Sequence, residues 1–247
     1  MTAPLFGPAR RVFELTLGEM LWARRTAFMA LAAGAPIVIA ILARLAVVNG
    51  SAVLTVNGNR IGTQAMFETA VSVLYLRFIV PALGVFYGTS LIADEVEDRT
   101  ITYLFTRPIA RGAIVLGKYL AYLLCVAAVV LPSLALVFLI MVPFQNMGPL
   151  FGKLLTDLGI LALGLAAYGA LFLWAGVSFK RPLVGGLVFI FGWEPLAMVL
   201  PGYLRYLTIA HYLQASASNV ASVLAITAAA VLLAMRTIQT REYVLEQ

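Results

Sequence analysis

Charge is what this sequence has least of. Only 11% of its 247 residues are Asp, Glu, Lys or Arg, against about 25% in an ordinary soluble domain, while 62% are hydrophobic. So little polar surface does not keep a folded chain of this length in water, which excludes a soluble globular domain. Histidine and cysteine are scarcer still: His211 and Cys125 are the only ones. A single cysteine excludes an intramolecular disulfide and a cysteine-based metal cluster. A lone histidine removes metal sites built mainly from imidazole and thiolate. No Gly-x-Ser-x-Gly occurs, so a serine hydrolase has no nucleophile elbow to work from. The net charge of +6 sits in short flanks between apolar runs, not on one continuous face. That is the pattern of membrane topology signals rather than of a nucleic-acid footprint, and no nucleic-acid partner is expected.

Long hydrophobic runs fill what charge leaves. About 20 apolar residues cross about 30 Å of hydrocarbon. Six stretches reach or approach that length: Thr26–Val48, Thr69–Ile92, Tyr119–Val142, Leu155–Ser178, Leu183–Leu200 and Asn219–Met235, the last two being the shortest. The first begins too late, after acidic as well as basic residues, and is too long to be a cleaved signal core. Alternating ten-residue strands are absent, which argues against a β-barrel. The sequence therefore predicts an all-α integral membrane protein, a single domain over residues 1–247 with six transmembrane helices.

Orientation follows from Lys and Arg. An inside N-terminus puts Arg10, Arg11, Arg24, Arg25, Arg99, Arg107, Arg111, Lys118, Lys180, Arg181, Arg236 and Arg241 on the cytoplasmic side. It leaves Arg44, Arg60, Lys153 and Arg205 outside and Arg77 within a span. Both termini are thus expected in the cytoplasm. Ahead of the first span, over residues 9–25, Val12, Phe13, Thr16, Leu17, Met20 and Leu21 recur at helical spacing. Arg10, Arg11, Glu14 and Glu19 take other faces, and Trp22 with Arg24-Arg25 suits the headgroup level. This predicts an amphipathic helix lying in the membrane interface. The loop from Asn49 to Ala65 is polar, with Asn49-Gly50 and Asn57-Gly58 as turn signals. Pro36, Pro81 and Pro132 fall inside spans, where they kink helices. Gly84 with Gly88, and Gly159 with Gly164, suit close helix packing.

The loop over residues 93–111 carries the most information. It opens with Asp94, Glu95, Glu97 and Asp98, passes through the short amphipathic stretch Arg99–Phe105, and closes on Arg107-Pro108 and Arg111. Pro108 biases Arg107 out of helical geometry, so a helix there stops by Thr106. A short helix held between two rigid spans at the membrane surface suits the passing of force from a soluble partner. A solvated polar turn is the plainer reading of the same residues.

Three blocks together decide between them. Leu91-Ile92-Ala93-Asp94-Glu95, then Arg99-Thr100-Ile101-Thr102-Tyr103-Leu104, then Thr106-Arg107-Pro108-Ile109-Ala110-Arg111 with Gly117-Lys118, resemble the signature region of type-2 ABC transporter permeases. The resemblance implies a membrane half-transporter that pairs with a second copy or a sister permease in the inner membrane of a bacterial or archaeal cell, surrounded by lipid. It implies two separate cytoplasmic ATPase subunits that hold ATP and Mg, with no cofactor in this chain and no catalytic residue. The 93–111 loop would be the coupling helix, with Asp94, Glu95, Glu97, Asp98, Arg99, Thr100, Leu104, Arg107, Pro108 and Arg111 facing the ATPase. Charge-assisted contacts from the acidic residues would hold it there. Lys180 and Arg181 in Phe179-Lys180-Arg181-Pro182 would make a smaller second contact. The resemblance also implies export, a helix break near Gly192-Trp193-Glu194-Pro195, and short outside helices before the last span, where the amphipathic segment with Tyr203, Tyr206, His211 and Tyr212 would form a lid or partially re-enter the membrane.

Gly112-Ala113-Ile114-Val115-Leu116-Gly117-Lys118-Tyr119 nearly matches a phosphate-binding loop. Tyr119 stands where the magnesium-binding hydroxyl belongs, and the residues open a hydrophobic span rather than a loop after a strand. Arg77 lies in a span, where a charge costs a few kcal/mol or more. It is expected to face the bundle or a cavity, with Glu194 or Glu68 as candidate partners. Arg77 and Glu194 are thus candidates for the translocation path or an outer gate. Asp157, four residues after Lys153, reads as a helical ion pair. Two rival functions remain. An ion-driven secondary transporter would need Glu194, Asp157 or Glu68 as a coupling site and gains strength from inverted repeats, which are not evident. A non-transporting membrane platform or regulatory subunit would need only the docking loop.

Overall fold

The computed structural model describes residues 6–22, 25–48, 55–56, 59–60, 63–97, 111–199, 203–214 and 219–240. Helix α1 runs Phe6–Trp22 and α2 runs Arg25–Val48. Two-residue strands, Thr55–Val56 and Asn59–Arg60, then pair antiparallel with Thr55 opposite Arg60. Their link is Asn57-Gly58, a turn in the sequence reading that lies outside the described residues. Helix α3 spans 63–97, α4 Arg111–Met141 and α5 Phe144–Ser178. Helix α6 spans 182–199, a 3₁₀ turn covers Tyr203–Leu207, α7 is Ile209–Gln214 and α8 is Val220–Thr240.

Five of these helices are long and apolar enough to cross a membrane: Thr26–Ala46, Gln64–Glu95, Arg111–Met141, Phe144–Ser178 and Val220–Thr240. The predicted fifth span is helical as expected, but its apolar part is the shorter stretch Pro182–Ala197. At 1.5 Å per residue that is about 24 Å, less than the hydrocarbon thickness. The chain is an all-α membrane protein. Helices α4 and α5 begin earlier than the apolar runs suggested, because helical hydrogen bonding continues into flanks that hydropathy does not mark.

Helix α3 changes spacing along its length. Ala70–Ile79 and Gly84–Gly88 are π-helical, with the α-helical turn Val80–Leu83 between them. Pro81 sits at that junction, has no N–H to donate and crowds the carbonyl four residues back, so the hydrogen-bond register shifts around it. The break expected at Glu194-Pro195 takes the same form. Helix α6 passes from π spacing at Phe189–Trp193 to α spacing at Glu194–Val199 without interruption. Pro195 lies just past that change, and as at Pro81 the residue without an N–H sits where the hydrogen-bond register shifts.

Helices α3 and α5 run parallel in backbone contact. A Cβ on Gly84 would come within 2.8 Å of Tyr168 Cβ, and one on Gly88 within 3.0 Å of Phe172 Cβ. At the other side of the seam a Cβ on Gly176 would lie 2.6 Å from the Thr89 carbonyl oxygen. Gly159, expected to help such packing, faces open space. Helix α4 runs antiparallel to α3. Tyr75 Oη lies 2.7 Å from Ser133 Oγ, and the Phe67 and Phe138 rings meet edge to face at 5.3 Å. Ser133 Oγ also donates to the Ala33 carbonyl at 2.5 Å, so one hydroxyl joins α2, α3 and α4. In an apolar surround each such hydrogen bond contributes roughly 0.6 kcal/mol and up to about 2. Helices α2 and α8 form the periphery and leave most of their apolar surface exposed.

Candidate functional site

The end of the bundle that carries residues 98–110 is where charged side chains meet packed helices. Antiparallel pairing of α3 and α4 sets Lys118 opposite the last turns of α3. Its ammonium is nearly buried and donates to Glu95 Oε1 at 2.5 Å and to the Leu91 carbonyl at 2.8 Å. The stem of Lys118 lies in apolar packing while its head is bonded, which satisfies a charge that would otherwise be costly there. Residues 98–110 are therefore flanked by two helices tied to each other.

Two further contacts brace the same end. Gly117, beside Lys118, lies against α1: a Cβ there would come 2.6 Å from the Ala9 carbonyl oxygen and 3.1 Å from Val12 Cβ. Ala9 and Thr16 are buried and Val12, Phe13, Leu17 and Met20 partly so, while Arg10, Arg11, Glu14 and Glu19 are exposed. The amphipathic stripe read from the sequence is thus real, and α4 covers part of it. Arg10 and Glu14 pair on its exposed side at 3.0 Å. Arg111 Nη1 donates to the Ile238 carbonyl at 3.4 Å, in the last turn of α8 where carbonyls lack helical partners.

Of the residues singled out in the sequence, Glu95 and Arg111 reach inward to α4 and α8. Asp94 is half-buried in the last turns of α3, and Glu97 closes that helix. Lys180 and Arg181 are exposed on the turn after α5. The contact of Gly176 with Thr89 sets that turn at the same end as Glu95. Asp98, Arg99, Thr100, Leu104, Arg107 and Pro108 lie outside the described residues. The near-match to a phosphate loop, Gly112 to Lys118, lies inside α4, and its lysine is bonded to Glu95.

The opposite half of the bundle holds the remaining charges. Arg77 is exposed, not turned inward as expected, because Val71, Tyr75, Leu76 and Ile79 take the buried face of its π-helical stretch. Both carboxylates considered for it have other donors. Glu68 pairs with Lys153 and accepts from Gln64 Nε2 at 3.3 Å. Glu194 is buried and accepts from Tyr168 Oη at 2.6 Å. The ammonium of Lys153 is therefore directed across to α3 rather than along its own helix to Asp157. Asp157 Oδ2 is left buried without a hydrogen-bond donor among the described residues. Sequence reasoning missed Lys118 and Tyr168 as the partners of Glu95 and Glu194. Neither pairing has a signal within its own helix, since each depends on how two helices lie against one another.

A bundle of long apolar helices joined by buried polar contacts defines a multi-pass membrane protein. The family model described as ABC-2 family transporter protein matches residues 17–195, well over half of the chain, and the chain belongs to that family. It is by that membership a membrane transport subunit. No curated protein matches the chain.

Proposed function

We propose that this chain is the permease subunit of an ABC exporter, driven by two separate ATPase subunits bound at the end that carries residues 98–110. The observation that carries the reading is the hold of Lys118 on Glu95 and on the Leu91 carbonyl. A force applied to residues 98–110 enters α3 and α4 together, since their ends are tied. Asp94, Glu97 and Asp98 with Arg99 and Thr100 are then the outward contacts, and Glu95 is an internal tie. Lys180 and Arg181, exposed at the same end, form the second contact. The abundance of Lys and Arg in these flanks supports a cytoplasmic position for this end and for both termini.

A second copy or a sister permease completes the transporter. Arg77 and Phe78 are exposed near the middle of α3. A facing permease would cover both and place Arg77 on the path between the two subunits. Lipid or amphipathic substrates fit a path bounded by such apolar helices.

The test is co-purification with ATPase subunits from the same cell, comparing wild type with a Glu97→Lys, Asp98→Lys double variant. The expected result is an ATPase retained by the wild type and lost by the variant, with both equally well folded. Equal retention, or no ATPase on either, would overturn the reading.

A further inference from the structure

Arg111 opens α4 directly after residues 98–110, yet its guanidinium turns toward α8, where Nη1 donates to the Ile238 carbonyl at 3.4 Å. The last carbonyls of a helix have no partner within it, and a cation beside them complements the helix dipole. The next residue makes room for the same helix. A Cβ on Gly112 would come 3.1 Å from Met235 Cε and 3.5 Å from Gln239 Nε2. Ala234 and Ile238 are fully buried. The C-terminal end of α8 thus rests on the first turn of α4, immediately beyond residues 98–110.

Along the rest of its length α8 offers its neighbours apolar contact. Its buried stripe is Val223, Ala230, Ala234 and Ile238, while Leu224, Leu232 and Leu233 are exposed. The hydroxyls of Thr227, Thr237 and Thr240 donate back to carbonyls of α8 itself. Lipid tails are as apolar as such a stripe, so no hydrophobic force holds one membrane helix at a set height on another; hydrogen bonds and close fits do. For α3 on α5 the fit comes from Gly84, Gly88 and Gly176. For α8 on α4 it comes from Arg111 and Gly112.

We infer that Arg111 is a positioning residue that sets the height of α8 on α4 and makes the last span travel with residues 98–110. The travel rests on the docking reading; the setting of height does not. Glu95 ties the helix that enters this segment to α4, and Arg111 ties the segment's exit to α8.

The test uses spin labels in a Cys125→Ala background, on Leu139→Cys of α4 and Leu232→Cys of α8, both exposed. Leu139 stands about 40 Å along α4 from Gly112, whereas Leu232 lies close to Met235, so a slip of α8 along the bundle axis changes the distance directly. In lipid nanodiscs the pair should give one narrow distance. Arg111→Gln, and separately Gly112→Val, which pushes Met235 away with Arg111 intact, should each at least double its width. Arg111→Lys keeps a cation for the carbonyl and should restore most of the narrow peak. A second pair, Val73→Cys on α3 and Leu124→Cys on α4, should stay narrow in every variant. An unchanged peak in Arg111→Gln overturns the inference, as does broadening of the second pair, which would mean general loosening. In the complex with its ATPase, Arg111→Gln should retain the ATPase, and added ATP should change the Leu139–Leu232 distance in that variant but not in the wild type. Loss of the ATPase from Arg111→Gln with a narrow peak makes Arg111 a partner contact and overturns the inference too. A wild-type distance that changes on ATP overturns the joint travel. If no ATPase binds the wild type while the first result holds, the docking reading and the travel fall and the height-setting role stands.

Discussion

Lys118 and Glu95, on adjacent antiparallel helices, form an ion pair whose ammonium is nearly buried and whose carboxylate is one-fifth exposed. The pair closes the base of residues 98–110, with the Leu91 carbonyl as a third member. Removing one partner of such a pair costs more than the pair contributes, because the other is left charged in poor solvent.

Glu95→Lys and Lys118→Glu are each expected to destabilise the protein by roughly 2–3 kcal/mol, below the loss for a fully buried pair because Glu95 is partly exposed. The double swap should recover more than half of the loss. Thermal unfolding of the detergent-solubilised protein reads this directly. If the swap is no better than the worse single variant, the two groups do not work on each other.

At the opposite half, Lys153 pairs with Glu68 while both side chains are 42% exposed. Lys153→Met should therefore cost no more than about 1 kcal/mol, and less as salt is added. The same unfolding measurement, run beside Lys118→Met, should separate the two variants clearly. Equal losses would mean that burial does not distinguish the pairs.

Gly84→Ala places a methyl group 2.8 Å from Tyr168 Cβ and should cost about 1–3 kcal/mol through overpacking. Gly159→Ala meets nothing within 4 Å and should stabilise by about 0.5–1 kcal/mol through helix propensity. Opposite shifts of the unfolding midpoint are the expected pattern. A destabilising Gly159→Ala would show that its open face is occupied in the folded protein.

Ser133→Ala removes the hydroxyl shared by Tyr75 and the Ala33 carbonyl. The expected cost is about 1–2 kcal/mol, and Tyr75→Phe should add little once Ser133 is gone. A double-mutant cycle on thermal stability measures this. Full additivity would mean that the three helices are not joined through one hydroxyl.

Much of the architecture was legible because hydropathy and helical spacing are local properties. The stripe from Val12 to Met20 and the long apolar runs follow from neighbours in sequence. Which way a span faces is not local. In a membrane helix the outward side is as apolar as the inward side, so no periodicity assigned Arg77 to the exposed face or Tyr75 to the core. Opposite charge suggested Arg77 for Glu194, whereas the actual donor is the neutral Tyr168, twenty-six residues earlier. Lys153 was paired with Asp157 by helical spacing, but its ammonium bonds the Glu68 carboxylate on α3. Pairings between helices depend on register, and one chain without its packing does not reveal register.

Gly84, Gly88 and Gly176 leave α3 and α5 no clearance along their shared seam. Two rods touching backbone to backbone neither roll nor bend separately, so they behave as one bar. At one end the bar carries Glu95 and the turn with Lys180 and Arg181; further along it carries Tyr168 and Gly164. Under the proposed docking, a partner at the looped end would grip a single lever by two handles, and its stroke would reach Tyr168 without passing through a soft joint.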